Sequence, residues 1–396
     1  MPDAPPRELH IVVIDDDSFM INVVTRLLGS MGYKNVQSAS NGKAAIKIMD
    51  GRSFDLVISD LRMPDMDGIE LMRHLAVMEP CPSVILMSGV DKKIMASAER
   101  LAKVHQLSLL GTIIKPVKRD ELERLIGKLE TTTKTKKKGH LKSLPVEEVK
   151  EGIAAGRVMV FLQPKVTMSN KVVVGAEALA RWKNDDGSVL GPAAFVPVAE
   201  KYGLMTELTD AVIDSALAIM VGWPAIASNL KISINVSIDN LSDVGFADRL
   251  VAKAKAAQVP LDRLVLEITE TKIMENLKEP LDILSRLCMQ GTGLAIDDFG
   301  TGAAGFESLQ ALPFTELKID RAFVHGASND ADKMTILQSI FAVAQRLEIE
   351  TVAEGVEDQD DWDLLASMNC DLVQGFIIAK PMPPDEFLQW LVKHYT

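Results

Sequence analysis

With 396 residues, a formal charge of −12, and 47% hydrophobic against 25% charged residues, the chain is too long for one ordinary domain and too apolar for extended disorder. It holds no run of about 18 apolar residues, its first ten residues lack the basic start and apolar stretch of a secretory signal, and Cys81, Cys288 and Cys370 show neither disulfide nor metal-type spacing. A soluble, cytoplasmic protein without a membrane span is expected.

The charge is unevenly spread. Residues 1–130 carry 17 Lys and Arg against 18 Asp and Glu, whereas residues 146–396 carry 21 against 37, a net −16. Such an acidic second half repels nucleic-acid backbone, which argues against DNA binding, and no basic helix-turn-helix is present. If that half acts on a phosphate compound, metal ions must supply the positive charge.

The first elements alternate strand and helix. Apolar runs at His10–Ile14, Asn35–Ala39, Leu56–Ser59, Ser83–Met87 and Leu109–Ile114 have the Val, Ile and Leu content of buried parallel strands. Between the first two, Phe19, Met20, Val23, Val24, Leu27, Leu28 and Met31 recur at helical spacing, and Gly32 closes that helix. Five such strands predict a doubly wound sheet with its functional residues at strand C-terminal ends. There stand Asp15-Asp16-Asp17, Asp60, Ser88 and Lys115. Clustered carboxylates stay ionised around a hard cation, and a nearby hydroxyl and lysine suit a phosphoryl group carried by an Asp.

On these residues, 8–128 resemble the receiver domain of two-component response regulators, a flavodoxin-like fold, and the domain is drawn as 8–130. The resemblance implies Asp60 as phospho-acceptor, one Mg²⁺ held by Asp15, Asp16 and Asp60, and Ser88 and Lys115 as phosphoryl contacts. It also implies a sensor histidine kinase as partner. One position departs: three residues before the lysine, where an aromatic switch residue is usual, stands Thr112.

Residues 131–145, TTTKTKKKGHLKSLP, carry five lysines and no acid. Without an apolar face to bury, the stretch reads as a basic hinge or linker. Alternation then resumes. Strands are predicted at Val158–Gln163, Val172–Leu179, Lys231–Val236, Arg263–Thr269, Gly293–Asp298, Glu316–Asp320, Glu350–Glu354 and Val373–Ile378. Eight strands in about 250 residues is the count and size of a (β/α)8, TIM-like barrel, here 146–396.

Catalytic groups of such barrels come from strand C-terminal ends. In chain order these are Gln163, Glu177, Asn235, Glu267, Asp297 with Asp298, Lys318 with Asp320, Glu354, and Gln374. A buried mouth with so many acids needs compensation, since an unpaired buried charge costs several kcal/mol. Two divalent cations would provide it, and oxygen donors without Cys or His favour Mg²⁺ or Mn²⁺. Paired hard cations suit phosphodiester hydrolysis. Arg181 is placed to fork onto a phosphate, Lys318 and Asp320 share a strand face, and the uncharged Gln163 and Gln374 suit substrate orientation.

The segment from about 146 to 392 resembles the EAL-domain family of cyclic di-GMP phosphodiesterases. The motifs are Gln163-Pro164-Lys165, Glu177-Ala178-Leu179-Ala180-Arg181-Trp182, Asn235-Val236-Ser237, Glu267-Ile268-Thr269-Glu270, Asp297-Asp298-Phe299-Gly300-Thr301-Gly302, Lys318-Ile319-Asp320, Ala353-Glu354-Gly355-Val356-Glu357 and Gln374-Gly375. The resemblance implies metal binding by Glu177, Asn235, Glu267, Asp297, Asp298 and Glu354, with Asp320 nearby. It implies Lys318 on the attacking water, Glu354 as a candidate general base and Arg181 on the phosphate. Glu270 would steady the loop after its strand. Leu179, Phe195 and Glu200 would help form the nucleotide pocket, and the product would be linear pGpG.

Two stretches depart. Where the family continues Tyr-Ser-Ser-Leu, this chain has Ala303-Ala304-Gly305-Phe306, and the usual His-Pro after Arg181-Trp182 is replaced by Asn184-Asp185. The complete donor set favours an active enzyme regulated through Asp60. The alternative is a weak or inactive EAL domain acting as a cyclic di-GMP receptor and protein-interaction module. Both domain families commonly self-associate, so a homo-oligomer is expected.

Overall fold

The computed structural model describes residues 9–78, 80–89, 95, 98, 101–102, 107–138, 143–269, 278–300, 309 and 312–395. Glu270 and the 303–306 loop lie outside the described residues. The chain forms two compact units, Met1–His140 and Leu141–Thr396.

In the first unit, strands β1 (Ile11–Ile14), β2 (Val36–Ala39), β3 (Leu56–Asp60), β4 (Ser83–Ser88) and β5 (Leu109–Ile114) form one parallel sheet in the order β2-β1-β3-β4-β5. Helices α1 (Ser18–Ser30), α2 (Gly42–Met49), α3 (Gly68–Leu75) and α4 (Arg119–Lys138) accompany it. Side chains alternate across a strand, and the core divides accordingly. Ile11, Val13, Ile58 and Ile85 pack with Val24, Leu28, Leu122 and Ile126 on one face. Val12, Ile14, Val57 and Leu86 pack with Ala45, Leu71 and Leu75 on the other. Asp17 caps α1 by accepting from the Phe19 amide, and Gly32 follows the helix at φ +93°. The strand order reverses between β1 and β3, which opens a crevice at the ends carrying Asp15 and Asp60.

Part of the 131–145 stretch is helical. Backbone of residues 131–138 is helical, continuing α4, because adding a residue to an existing helix is easy once its first turns are fixed by packing, here of Leu122, Leu125, Ile126 and Leu129.

The second unit holds β6 (Val158–Thr167), β7 (Val173–Lys183), β8 (Val189–Leu190), β9 (Lys231–Asn235), β10 (Leu264–Thr269), β11 (Gly293–Phe299), β12 (Glu316–Ile319), β13 (Glu350–Ala353) and β14 (Leu372–Val373). Their order is β6-β14-β13-β12-β11-β10-β9-β7-β8, and an added β6–β7 pairing closes eight strands into a barrel, with β8 appended to β7. Around it run α5 (Val146–Ala154), α6 (Val196–Lys201), α7 (Met205–Val221), α8 (Ile238–Leu241), α9 (Phe246–Ala256), α10 (Lys278–Met289), α11 (Arg321–Val324), α12 (Ala331–Arg346), α13 (Gln359–Ser367) and α14 (Pro384–Tyr395).

The barrel departs from a uniformly parallel one at its first strand: β6 runs antiparallel to both neighbours, β7 and β14. Only residues 168–172 separate β6 from β7, too few for the crossover that parallel strands need, so the two form a hairpin. The last strand is also shorter than the predicted Val373–Ile378. It ends at Val373, and the chain turns back against Val356, whose carbonyl accepts from the Ile377 amide at 3.0 Å. A Cβ on Gly375 would lie 2.1 Å from the Val356 carbonyl oxygen and 2.4 Å from its amide nitrogen. Backbone cannot retreat as a side-chain tip can. Gly375→Ala should therefore destabilise the protein by about 3 kcal/mol, read as a lower midpoint in chemical unfolding.

Candidate active site

The barrel mouth gathers the predicted groups. Asn235 ends β9, Glu267 lies on β10, Asp297 and Asp298 on β11 and Lys318 on β12, while Glu354 and Gln374 directly follow β13 and β14. Gln163 and Glu177 break the expected pattern, because they face each other in the middle of β6 and β7 rather than at strand ends. Those two strands are longer than the rest of the wall.

Lys318 occupies the centre. Its fully buried ammonium lies 2.5 Å from Glu267 Oε2, 2.7 Å from Glu354 Oε1, 3.0 Å from Asp297 Oδ1 and 3.8 Å from Glu177 Oε1. Burial would depress its pKa, but Glu177, Glu267, Glu354 and Asp297 outweigh that and hold it well above the ordinary lysine value. A polar chain steadies Glu177: Gln374 donates to its Oε2 at 2.6 Å and to Gln163 Oε1 at 3.2 Å, while Asn235 donates to its Oε1 at 2.8 Å. Against the upward push of burial, Lys318 and these amides hold the Glu177 carboxyl below its usual range.

Consecutive residues on a strand normally point to opposite faces, yet Asp297 and Asp298 serve one site. The register between β11 and β12 slips between Ile296 and Phe299, and Asp298 adopts φ +55°. Asp is one of the few residue types that enter the left-handed region readily, and bulges of this kind re-aim side chains beside active sites. As a result Asp297, Asp298 and Glu354 each offer an oxygen within 4.8 Å of the others.

This donor set fits hard divalent cations. Glu177, Glu267, Asp297, Asp298, Asp320 and Glu354 are carboxylates, Asn235 adds an amide oxygen, and neither Cys nor His takes part. One central lysine leaves them over-supplied with negative charge. Burial pushes Glu267 up to about 8 against the pull of Lys318, and pushes Glu354 up to about 7 in the same way. Asp298 rises to about 6 through burial, Asp297 and Asp320. Further positive charge is what would return these groups to ordinary carboxylates.

The surrounding wall divides. Arg181 on β7 is half-buried, donates to the Ala180 carbonyl at 2.8 Å and lies over the Phe161 ring at 5.1 Å. Burial lowers its pKa from the ordinary arginine value. Leu179 is half-buried on the same strand, and Glu200 is exposed on α6. Asp320 follows β12 and caps α11, accepting from the Ala322 amide at 2.8 Å, so one of its oxygens is engaged by backbone. Phe195 is fully buried with its ring 5.5 Å from Trp182, a position within the core.

One residue quoted only as part of a motif turns out to belong to the charge network. Lys165, fully buried, lies 2.8 Å from Glu316 Oε2 and 3.8 Å from Glu267 Oε1. Its signal was the spacing of two from Gln163, which keeps it on the interior face.

The first unit builds a smaller site. Lys115 Nζ lies 2.8 Å from both Asp15 Oδ2 and Asp60 Oδ2, and Asp16 completes a three-carboxylate group. Asp17 and Leu61 amides donate to Asp15 and Asp60. Burial raises the Asp15 pKa, with Lys115 opposing it. For Lys115 the depressing effect of burial is overcome by its two carboxylates, which hold it above the ordinary value. Ser88 is fully buried at the end of β4, next to β5, whose extension carries Lys115.

Comparison with known proteins gives a family match for each unit. The EAL domain model matches residues 146–381, and the response regulator receiver domain model matches 11–127. The cyclic di-GMP phosphodiesterase RocR of Pseudomonas aeruginosa is 30% identical over 387 residues, covering 97% of this chain and 99% of RocR. The cyclic di-GMP phosphodiesterase PA2567 of the same organism is 35% identical over 229 residues, 58% of this chain but 39% of that longer protein. Among solved structures, the PaMucR phosphodiesterase in complex with c-di-GMP superposes with a TM-score of 0.58 at 32% identity, covering 61% of this chain and 98% of that one. The chain therefore belongs to the EAL-domain family and carries a response regulator receiver domain ahead of its EAL barrel.

Proposed function

We propose that this protein is a response regulator whose barrel hydrolyses one phosphodiester of cyclic di-GMP, releasing linear pGpG. The observation that carries the reading is the ring of carboxylates around buried Lys318 at the mouth of a barrel, in a chain collinear with a cyclic di-GMP phosphodiesterase. We place the receiver at 8–130, the connector at 131–145 and the EAL domain at 146–396.

Glu177, Asn235, Glu267, Asp297, Asp298 and Glu354, with Asp320 beside them, would hold two Mg²⁺ or Mn²⁺ ions, and Asp15, Asp16 and Asp60 one Mg²⁺. Divalent ions bound in the barrel supply Lewis acidity to the phosphodiester and acidify an attacking water. Arg181 offers a planar fork to a non-bridging phosphate oxygen. Lys318 keeps four carboxylates at fixed spacing and orients the water, and Glu354, 20% exposed and 2.7 Å from Lys318, accepts its proton. Leu179 and Glu200 border the nucleotide, Gln163 and Gln374 orient its polar edges, and Gln374 also holds Glu177 in place. The binding-only alternative is disfavoured because no member of the donor set is missing. Purified protein incubated with cyclic di-GMP and Mg²⁺ or Mn²⁺ should release pGpG, and failure to form pGpG with either ion overturns the enzymatic reading.

A sensor histidine kinase would phosphorylate Asp60, and the protein would work as a homo-oligomer. Lys115 already bridges Asp15 and Asp60, so the acceptor oxygen is pre-aligned with the group that neutralises the phosphoryl charge. Asp60→Asn should abolish phosphoryl uptake from acetyl phosphate, seen as loss of the added mass, and should erase any change in hydrolysis rate that acetyl phosphate causes in the unmodified protein.

A further inference from the structure

The interior of the barrel holds an ion pair that stability alone does not call for. Lys165 and Glu316 are 2% and 4% exposed and meet at 2.8 Å, and Lys165 also donates to Ser233 Oγ at 2.5 Å. Such interiors are ordinarily filled by branched apolar side chains, and a well-packed apolar pair in place of a buried ion pair is often neutral or stabilising. The pair lies away from the mouth. With Lys231 and Glu350 it lines a cavity of about 350 Å³ bordered by Gly175, Lys231, Glu316, Glu350 and Leu372, the residues at the strand starts opposite the mouth. It therefore does not touch the substrate.

What it reaches is Glu267. That carboxylate gives Oε2 to Lys318 at 2.5 Å, while Oε1 has no hydrogen bond among the described residues and faces Lys165 at 3.8 Å. The four side chains thus alternate in charge through the barrel: Glu316, Lys165, Glu267, Lys318. We infer that Lys165, held by Glu316, is a positioning residue that pins Glu267 from below and so sets the cation affinity of the mouth. This rests on the reading of the mouth as a cation-dependent hydrolytic site. Removing Lys165 lets Glu267 swing wholly onto Lys318, pulling the lysine away from Asp297 and Glu354.

The test uses the full-length protein with Mn²⁺ as probe. Lys165→Met leaves Glu316 without its ion-pair partner and risks misfolding, so the deciding variant is Lys165→Met with Glu316→Gln, in which both members are neutral and of similar volume. Its unfolding temperature without metal should match the parent. The Mn²⁺ concentration giving half of the metal-induced rise in unfolding temperature should increase about ten- to a hundredfold, as should that giving half-maximal turnover, with KM for cyclic di-GMP unchanged. A parental Mn²⁺ midpoint in the folded double variant overturns the inference and leaves the pair a packing device. Should the double variant not fold, Glu316→Gln alone decides: Lys165 then leans wholly on Glu267 and competes with the cation, so the Mn²⁺ midpoint rises, and an unchanged midpoint overturns the inference. The thermal midpoint needs no turnover. A parent protein that forms no pGpG therefore sinks the hydrolytic reading without deciding this one.

Discussion

Lys318→Met should yield a protein that is both less stable and nearly inactive, with the stability recovered by divalent cations. The ammonium is fully buried and lies within 3.0 Å of Glu267, Asp297 and Glu354. Deleting one partner of a buried ionic network costs about 3–5 kcal/mol, because the remaining charges stay desolvated and unpaired. The neighbouring carboxylates raise the Lys318 pKa above its unfolded value, so its contribution is fully present at neutral pH and is lost only as pH climbs through that elevated value. Thermal unfolding at pH 7 in a chelator should show the deficit, and millimolar Mg²⁺ or Mn²⁺ should recover more of it than it adds to the parent. Turnover should fall about a thousandfold even with metal present, since the variant loses the group that spaces four carboxylates. A variant that unfolds with the parent and hydrolyses at the parental rate would show that Lys318 is no counter-ion.

Glu354→Gln should cost about as much activity while leaving the fold intact. Its side chain is 20% exposed, the most open of the four acids around Lys318, and it shares the 4.8 Å oxygen group with Asp297 and Asp298. Glutamine keeps the shape and one hydrogen-bonding oxygen but removes the charge and the proton acceptor. A loss of about a thousandfold in kcat is expected, with a higher metal concentration needed for half-maximal rate. The unfolding temperature should change little, because removing one of several crowded acids relieves repulsion as it removes a Lys318 contact. Chelation of the parent should abolish turnover and added Mn²⁺ should restore it. Parental kcat in the glutamine variant would exclude Glu354 from the chemistry.

Most of the fold and much of the site were legible because both depend on short-range patterns. Strand-length apolar runs located the five strands of the first sheet, and the polar residues ending them led to the crevice between β1 and β3. In the barrel, one motif per strand placed Glu267, Asp297, Lys318 and Glu354 around a common centre. What escaped notice depends on pairings between distant residues. The reversed direction of β6 follows from a turn too short for a crossover, yet apolar content carries no direction. The bulge that turns Asp298 beside Asp297 is a backbone event driven by register with β12. Phe195 packs on Trp182 in the core, a pairing that composition cannot draw. Lys165 was hidden for the same reason, since Glu316 stands 151 positions away.

The reversed first strand also decides where the chain enters the barrel. Val158 pairs with Trp182 at the catalytic rim, whereas Thr167 pairs with Leu372 at the opposite end. A barrel of uniformly parallel strands would be entered from the end remote from its chemistry. Here the entering segment, α5, lies so close to Trp182 that a Cβ on Gly152 would fall 2.2 Å from the indole, and the Leu144 amide donates to the Ala194 carbonyl, next to Phe195. The segment through which the chain enters this unit is thus seated on the stretch of β7 that carries Arg181, at the mouth and not at the remote end.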